Sequence, residues 1–301
     1  MRFTGPVVLA AAARRPTNSR SAAPSAVSDR YGLRMEMKDA DVAIAAARAG
    51  AEVVARTYGD CHTRFAKSST DFATQTDIDA EAAILDVLAQ HRPSDARVGE
   101  EFGNSGTESA ERRWFIDPLC GTLNFAASTP LVSVNVALMD GDTPLAAAVA
   151  DPIARELFWT DGTDAYCRRG DDDRPLSPTA HSALVDINCD GPLDQPFVGG
   201  QLVSDPQLRK IFGPRVISST LGVAWVAAGR RAAYISDGQF RDNLHFAAGI
   251  ALCQTSGCVI SDLDGNPLHL DRGLVISADQ ETHDRILAVV EPHLRAVRAA
   301  A

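Results

Sequence analysis

From about residue 37 onward the chain repeatedly changes its apolar rhythm, and this alternation restricts the fold more than any other feature. Asp39–Tyr58 and Ile78–Gln90 set apolar residues at helical spacing, Val42, Ile44, Val53 and Val54 in the first and Ala82, Ile84, Leu85 and Leu88 in the second. Strand-like runs follow at Trp114–Ile116, Leu131–Met139, Pro144–Val149 and Glu156–Thr160, separated by turn residues. Gly170–Pro178 is acidic and proline-bearing, and reads as a loop or a link between domains. Beyond it, strands at Leu184–Cys189, Arg215–Ser218, Ala232–Ser236, Cys258–Asp262 and Leu274–Ala278 alternate with helices. Those helices are Pro206–Phe212, Leu221–Ala228, Leu244–Ser256 and Thr282–Val297. Such a pattern predicts a layered, mixed α/β or α+β architecture. It divides into an N-terminal half over 35–175 and a C-terminal half over 176–301. Residues 1–34, with no acid before Asp29, read as a disordered or spurious extension.

Composition removes whole classes of function. The formal charge of −10 argues against sequence-independent nucleic-acid binding, which needs a basic surface. The longest apolar run, Gly5–Ala13, is far shorter than the ~20 residues needed to span a bilayer. The expectation is therefore a cytoplasmic protein with neither a membrane nor a nucleic acid as partner. Six cysteines without a CxxC pair indicate reduced thiols, most of them buried as small hydrophobes.

Three acidic clusters lie at the edges of apolar elements. The first is Lys67-Ser-Ser-Thr-Asp-Phe-Ala-Thr-Gln-Thr-Asp77 followed by Glu81, and the second is Gly99-Glu100-Glu101. The third is Trp114-Phe-Ile-Asp117-Pro-Leu119-Cys120-Gly121-Thr122-Leu-Asn124-Phe125. Here a strand ends in Asp117, Pro118 turns the chain, and Gly121-Thr122 opens a helix. A strand-end carboxylate beside a helix start suits a hard cation and a phosphate. Taken singly, each cluster is weak evidence and reads first as a solvated acidic loop or a helix cap, and Lys67 as a partner of these carboxylates or an ordinary surface lysine.

Taken in order, the clusters resemble the inositol monophosphatase family of metal-dependent phosphatases. Further matching positions are Asp151-Pro152 before Glu156-Leu-Phe, Ser218-Ser-Thr-Leu-Gly222, Leu244-His-Phe-Ala-Ala-Gly249 and Thr255-Ser-Gly257, so the resemblance runs from Asp39 to Val297. It implies a layered αβαβα sandwich with the active site between its halves, and homodimerisation. It implies that Glu100, Asp117 and the Leu119 carbonyl hold a first Mg²⁺, and that Asp77 and Thr122 activate water with help from Glu100 or Glu101. It further implies that the N–H groups of Gly121 and Thr122 receive the phosphate of a small phosphorylated metabolite.

Two positions depart from the family pattern. Where the family has Asp-Pro-x-Asp-Gly-Thr, the second Asp is Cys120; where it has Trp-Asp-x-Ala-Ala-Gly, Leu244 and His245 stand. Both lost carboxylates belong to the second metal, shared with Asp117. Three readings follow: Zn²⁺ or another transition metal at Asp117, Cys120 and His245; a Cys120–His245 thiol–imidazole pair serving other chemistry; or a non-catalytic ligand-binding homologue. Asp242 reads as a helix N-cap or a substitute carboxylate. Substrate choice in such proteins rests on residues 185–245, so Asp194–Asp205 and Ser218–Gly222 are expected at the cleft, with Arg209, Lys210 and Arg241 near.

Overall fold

A computed structural model describes residues 37–60, 63–67, 72–190, 197–240, 243–268 and 272–300, so the expectations for residues 1–34, Asp194, Arg241 and Asp242 lie outside the described residues. The region Glu36–Ala301 forms one compact unit. It begins with α1 (Asp39–Thr57), the short antiparallel pair β1 (Arg64–Ala66) and β2 (Phe72–Thr74), and α2 (Gln75–His91). Then come β3 (Ala96–Gly99), β4 (Asn104–Gly106), β5 (Arg112–Cys120) and α3 (Thr122–Ala126). A meander follows: β6 (Ser133–Asp140), β7 (Thr143–Asp151), β8 (Glu156–Thr160), β9 (Ala165–Arg169) and β10 (Asp172–Pro175). The remainder is β11 (Leu184–Ile187), α4 (Gly199–Ser204), α5 (Pro206–Ile211), β12 (Gly213–Val216), α6 (Leu221–Ala227) and β13 (Ala233–Ser236). It closes with α7 (Ala247–Ser256), β14 (Val259–Ser261), β15 (Leu274–Ser277) and α8 (Gln280–Ala300).

Strands β3 to β10 make an eight-stranded sheet in the order β10-β9-β8-β7-β6-β5-β3-β4, and a second sheet runs β12-β11-β13-β15-β14. Strand alternation sorts side chains into separate cores. Val134, Val136 and Leu138 of β6, with Ala146, Ala148 and Ala150 of β7, pack beneath α1 and α2. Their neighbours Ala137, Ala147 and Val149 face α6 and α7, which also receive Tyr234, Leu274 and Ile276 from the smaller sheet. The other face of that sheet presents Val185, Ile187, Ile235 and Val275 to Leu202 of α4, Leu208 of α5 and Ile286 and Val290 of α8. The layers therefore run helices, sheet, helices, sheet, helices: the expected αβαβα sandwich.

Element boundaries depart from the sequence reading in instructive places. Gly170–Pro178 is not a plain loop, because β10 lies within it and pairs antiparallel with β9 across the turn at Gly170. Strand β5 does not stop at Asp117. Its pairing with β6 passes from Asp117↔Asn135 to Cys120↔Ser133, so β5 carries one residue more than its partner and bulges there. Pro118, which has no N–H to give the ladder, sits inside the bulge. Of the described cysteines, all five are free, but only Cys253 is buried; the other four are half-buried, against the expectation that most would be buried. No helix among the described residues is long and apolar enough to cross a membrane.

Candidate active site

The three acidic clusters meet where α2 begins, β3 ends and β5 bulges. Helix α2 starts at Gln75 rather than Ile78, because Thr74 and Asp77 form a capping box. Asp77 Oδ2 accepts hydrogen bonds from the Thr74 N–H (2.8 Å) and the Thr74 hydroxyl (2.5 Å). This fixes the fully buried carboxylate and leaves Oδ1 for the Thr122 hydroxyl, 2.9 Å away. Burial raises the Asp77 pKa against these hydrogen bonds.

Glu81, one turn further along the same helix face, is also fully buried. It accepts the N–H of Glu101 (2.7 Å) and of Phe102 (3.0 Å), and so clamps the chain that carries Glu100. Gly99 is required for this approach: a Cβ there would lie 1.9 Å from Glu81 Oε1. Lys67 settles its open reading, since its Nζ bridges Glu100 (2.8 Å) and Glu101 (2.7 Å). Burial, and then the charge of Asp117, push Glu100 up to about 8 despite Lys67 and His245.

Asp117 is fully buried. Its Oδ1 accepts the Leu119 N–H at 3.2 Å, and Oδ2 accepts Asn135 Nδ2 at 3.3 Å. His245 Nδ1 lies 2.9 Å from the same Oδ2 and 3.9 Å from Glu100 Oε2. Burial works to lower the His245 pKa, but the charge and hydrogen bond of Asp117 prevail and hold it near 9. His245 stands in the turn before α7, not within a helix starting at Leu244. Asn135, which the sequence reading missed, also donates to Thr220 Oγ1 at 2.9 Å, and its own Oδ1 is buried without a partner. The signal for it lay in the register, as it pairs directly with Asp117 across the sheet.

Cys120 behaves differently from the other site candidates. Its Sγ accepts the Thr220 N–H at 3.3 Å, and it is not part of the Glu100–Asp117–His245 group. Burial, then the negative charge of Asp117, push its thiol well above the ordinary range, which opposes a thiolate. Past it, Gly121 adopts φ 91°, and a Cβ there would meet the Leu131 carbonyl at 2.7 Å, so glycine is needed to start α3 at Thr122. Ser218 and Thr220 do reach the site, through the Asn124 amide to Ser218 O (2.9 Å) and through Thr220 to Asn135. Asp205 does not: it caps α5 and pairs with His293 at 2.8 Å. Arg209 and Lys210 are exposed in the last turn of α5, which packs on α4, α8 and β12, none of which carries a site residue.

Comparison with known proteins adds four findings. A sequence model of the inositol monophosphatase family matches residues 36–295. Inositol-1-monophosphatase of Caulobacter vibrioides is 32% identical over 260 residues, which cover 81% of this chain and 97% of that one. Nus factor SuhB of Escherichia coli K12 is 30% identical over 271 residues, covering 84% and 96%. Among solved structures, the Thermotoga maritima IMPase superposes with a TM-score of 0.73 at 21% identity, over 85% of this chain and 98% of that chain.

Proposed function

We propose that this chain, which belongs to the inositol monophosphatase family, hydrolyses a small phosphate monoester with the aid of a divalent cation. One observation carries the reading: the Thr122–Asp77 hydrogen bond lies beside the carboxylates of Glu100 and Asp117, so a proton acceptor and cation ligands share one cleft.

The donor set fits a cation. Glu100, Asp117 and His245 bring ligand atoms within 4.8 Å of one another. The Leu119 carbonyl, which lies 3.2 Å from the Thr122 hydroxyl, keeps a second lone pair with which it can join them. When bound, a divalent cation supplies Lewis-acid polarisation and offsets phosphoryl charge. The protein's own groups do the rest. The Thr122 hydroxyl gives its hydrogen to Asp77 and keeps its lone pairs, so it can accept a hydrogen from the attacking water. Asp77, raised by burial, takes the proton that passes along this pair. The backbone N–H groups of Gly121 and Thr122 receive the phosphate, and Lys67 holds Glu100 and Glu101 in place. A second hard cation is not supported, since Cys120 and His245 stand where two further carboxylates would be needed and Cys120 turns to Thr220.

A second reading, a binding protein without turnover, is favoured by the relatives that carry the name Nus factor. The two are separated by measuring phosphate release from a panel of small monoesters with Mg²⁺, Mn²⁺ and Zn²⁺ in turn, with Asp117→Asn as the blank. Release that depends on Asp117 supports the hydrolase. Thermal stabilisation by a phosphorylated ligand with no release under any ion supports the binding protein.

A further inference from the structure

Glu100 and Asp117 each have one oxygen held and the other aimed at His245. Lys67 holds Glu100 Oε1, and Oε2 faces Nδ1 of His245 at 3.9 Å. The Leu119 N–H holds Asp117 Oδ1, and Oδ2 faces the same Nδ1 at 2.9 Å, steadied by Asn135. Transition-metal ions bind imidazole nitrogen and carboxylate oxygen at about 2.0–2.2 Å, so two ligands of one ion lie at most about 4.4 Å apart. Both distances from Nδ1 fall inside that limit. The groups around the three donors act as an outer shell that fixes their orientation, as second-shell partners do in metal sites. His245 is 42% exposed, which leaves the ion a way in from solvent.

The same geometry argues against a pair of ions. Two-metal phosphatase sites keep their ions about 3.5–4 Å apart and need ligands on both sides of the shared carboxylate. The other groups near Asp117 do not supply them: Asn135 is a hydrogen-bond donor to Oδ2, and the Cys120 Sγ is turned to the Thr220 amide. An imidazole in the ligand set also shifts preference away from Mg²⁺, which takes oxygen ligands, towards transition metals.

We propose that Glu100, Asp117 and His245 form one mixed oxygen–nitrogen site for a single transition-metal ion, which replaces the Nδ1 hydrogen, and that Cys120 is not a ligand. This rests on the reading of the cleft as cation-dependent, but its test needs no turnover. Metal-free full-length chain is dialysed to equilibrium against Mn²⁺, Co²⁺, Zn²⁺ or Mg²⁺ and the bound ion is counted. The expected result is one Mn²⁺ or Co²⁺ per chain with much weaker Mg²⁺ binding. His245→Ala should weaken Mn²⁺ binding at least tenfold and shift the visible absorption of the Co²⁺ form, whereas Cys120→Ser leaves both unchanged. His245→Asp, which restores a carboxylate, should regain affinity for Mg²⁺; circular dichroism on each variant separates lost ligands from lost fold. Two ions per wild-type chain, or Mn²⁺ affinity indifferent to His245, overturns the proposal. So does a loss of Zn²⁺ affinity in Cys120→Ser matching that in His245→Ala. A chain that binds one ion through His245 yet releases no phosphate keeps this site and removes the hydrolase reading.

Discussion

Strand β5 begins and ends among carboxylates, and its two ends treat them in opposite ways. At its start, Arg112 hydrogen-bonds both oxygens of Asp39 (2.8 and 3.0 Å) and also meets Asp95, while Arg92 adds a further bond to Asp39. Burial works to raise Asp39, but the two guanidinium groups outweigh it and hold the carboxyl below its usual range. At its end, Asp77 and Glu81 are buried against hydroxyls and backbone amides, and Glu100 against Asp117; burial leads in raising all three. A guanidinium neutralises a carboxylate, while an amide only orients it. The first end is an ion-pair cluster that fastens α1 to the start of β5. The second gathers Asp77, Glu81, Glu100, Glu101 and Asp117 around only Lys67 and His245, so it keeps an excess of negative charge, which costs stability unless a further cation joins it. The difference in partners, rather than the number of acids, separates a brace from a site.

The sharpest break of this comparison is Asp117→Asn. It should reduce phosphate release roughly a thousandfold, the scale of several kcal/mol that cation ligation supplies. Above about pH 9, where His245 has given up its proton, the melting temperature of the metal-free chain should hold or rise, since a buried charge without a cationic partner has been removed. A parallel fall in activity and melting temperature would make Asp117 a structural acid like Asp39. Thr122→Val comes next. It keeps the shape but loses the hydroxyl between water and Asp77, so kcat should fall on the order of a hundredfold with little change in metal binding. At the other end of the strand, Arg112→Met should lower stability by about 2 kcal/mol, because Asp95 and Asp39 lose a charged partner. Its turnover per folded molecule should match wild type, as chemical denaturation and assay of the same sample will show.

The fold was legible wherever apolar spacing carried it: Glu156–Thr160 is a strand with the predicted bounds, and α1 misses the predicted end by one residue. Elements fixed by pairing rather than by composition escaped. Strand β10, Asp172–Pro175, is built of residues poorly suited to strands and exists because the Gly170 turn lays it against β9. The start of α2 was read late because its capping box ends in Asp77 instead of the commoner Glu or Gln. In the site, resemblance located Asp77, Glu100, Asp117 and Thr122 by motif. The direction of each side chain was not readable from it. One extra residue in β5 sits between Asp117 and Cys120, which is taken up by Thr220. His245, 128 residues from Asp117, meets it only through the packing of α7 on the larger sheet. Asn135 was invisible because its role depends on the cross-strand register.

The smallest expected effect is the most direct test of the two ends together, because pH acts on them with opposite sign. A group that holds its proton more tightly folded than unfolded adds stability while protonated and loses it as pH rises. Glu100, raised from 4.5 to about 8, and His245, raised from 6.5 to about 9, both belong to this class. The metal-free chain should therefore lose stability as pH rises from about 4.5, most steeply between about 6.5 and 8, where both groups keep a proton folded that they lack unfolded, and on to about 9 through His245 alone. Asp39 belongs to the opposite class: lowered by Arg112 and Arg92, it adds stability above its unfolded value of 3.8 and loses it as pH falls through the folded one. Melting temperatures in chelator should then decline on both sides of a maximum, by a few degrees on the alkaline limb. His245→Gln should remove the part of that limb above about pH 8 and leave the part due to Glu100, and Arg112→Met should act on the acid limb alone. Saturating Mn²⁺ should also remove the alkaline decline, because a bound cation holds the charges that protons otherwise neutralise. An alkaline limb of equal slope with and without the cation would mean that the charge at the end of β5 is balanced within the protein, and the distinction between its two ends would fail.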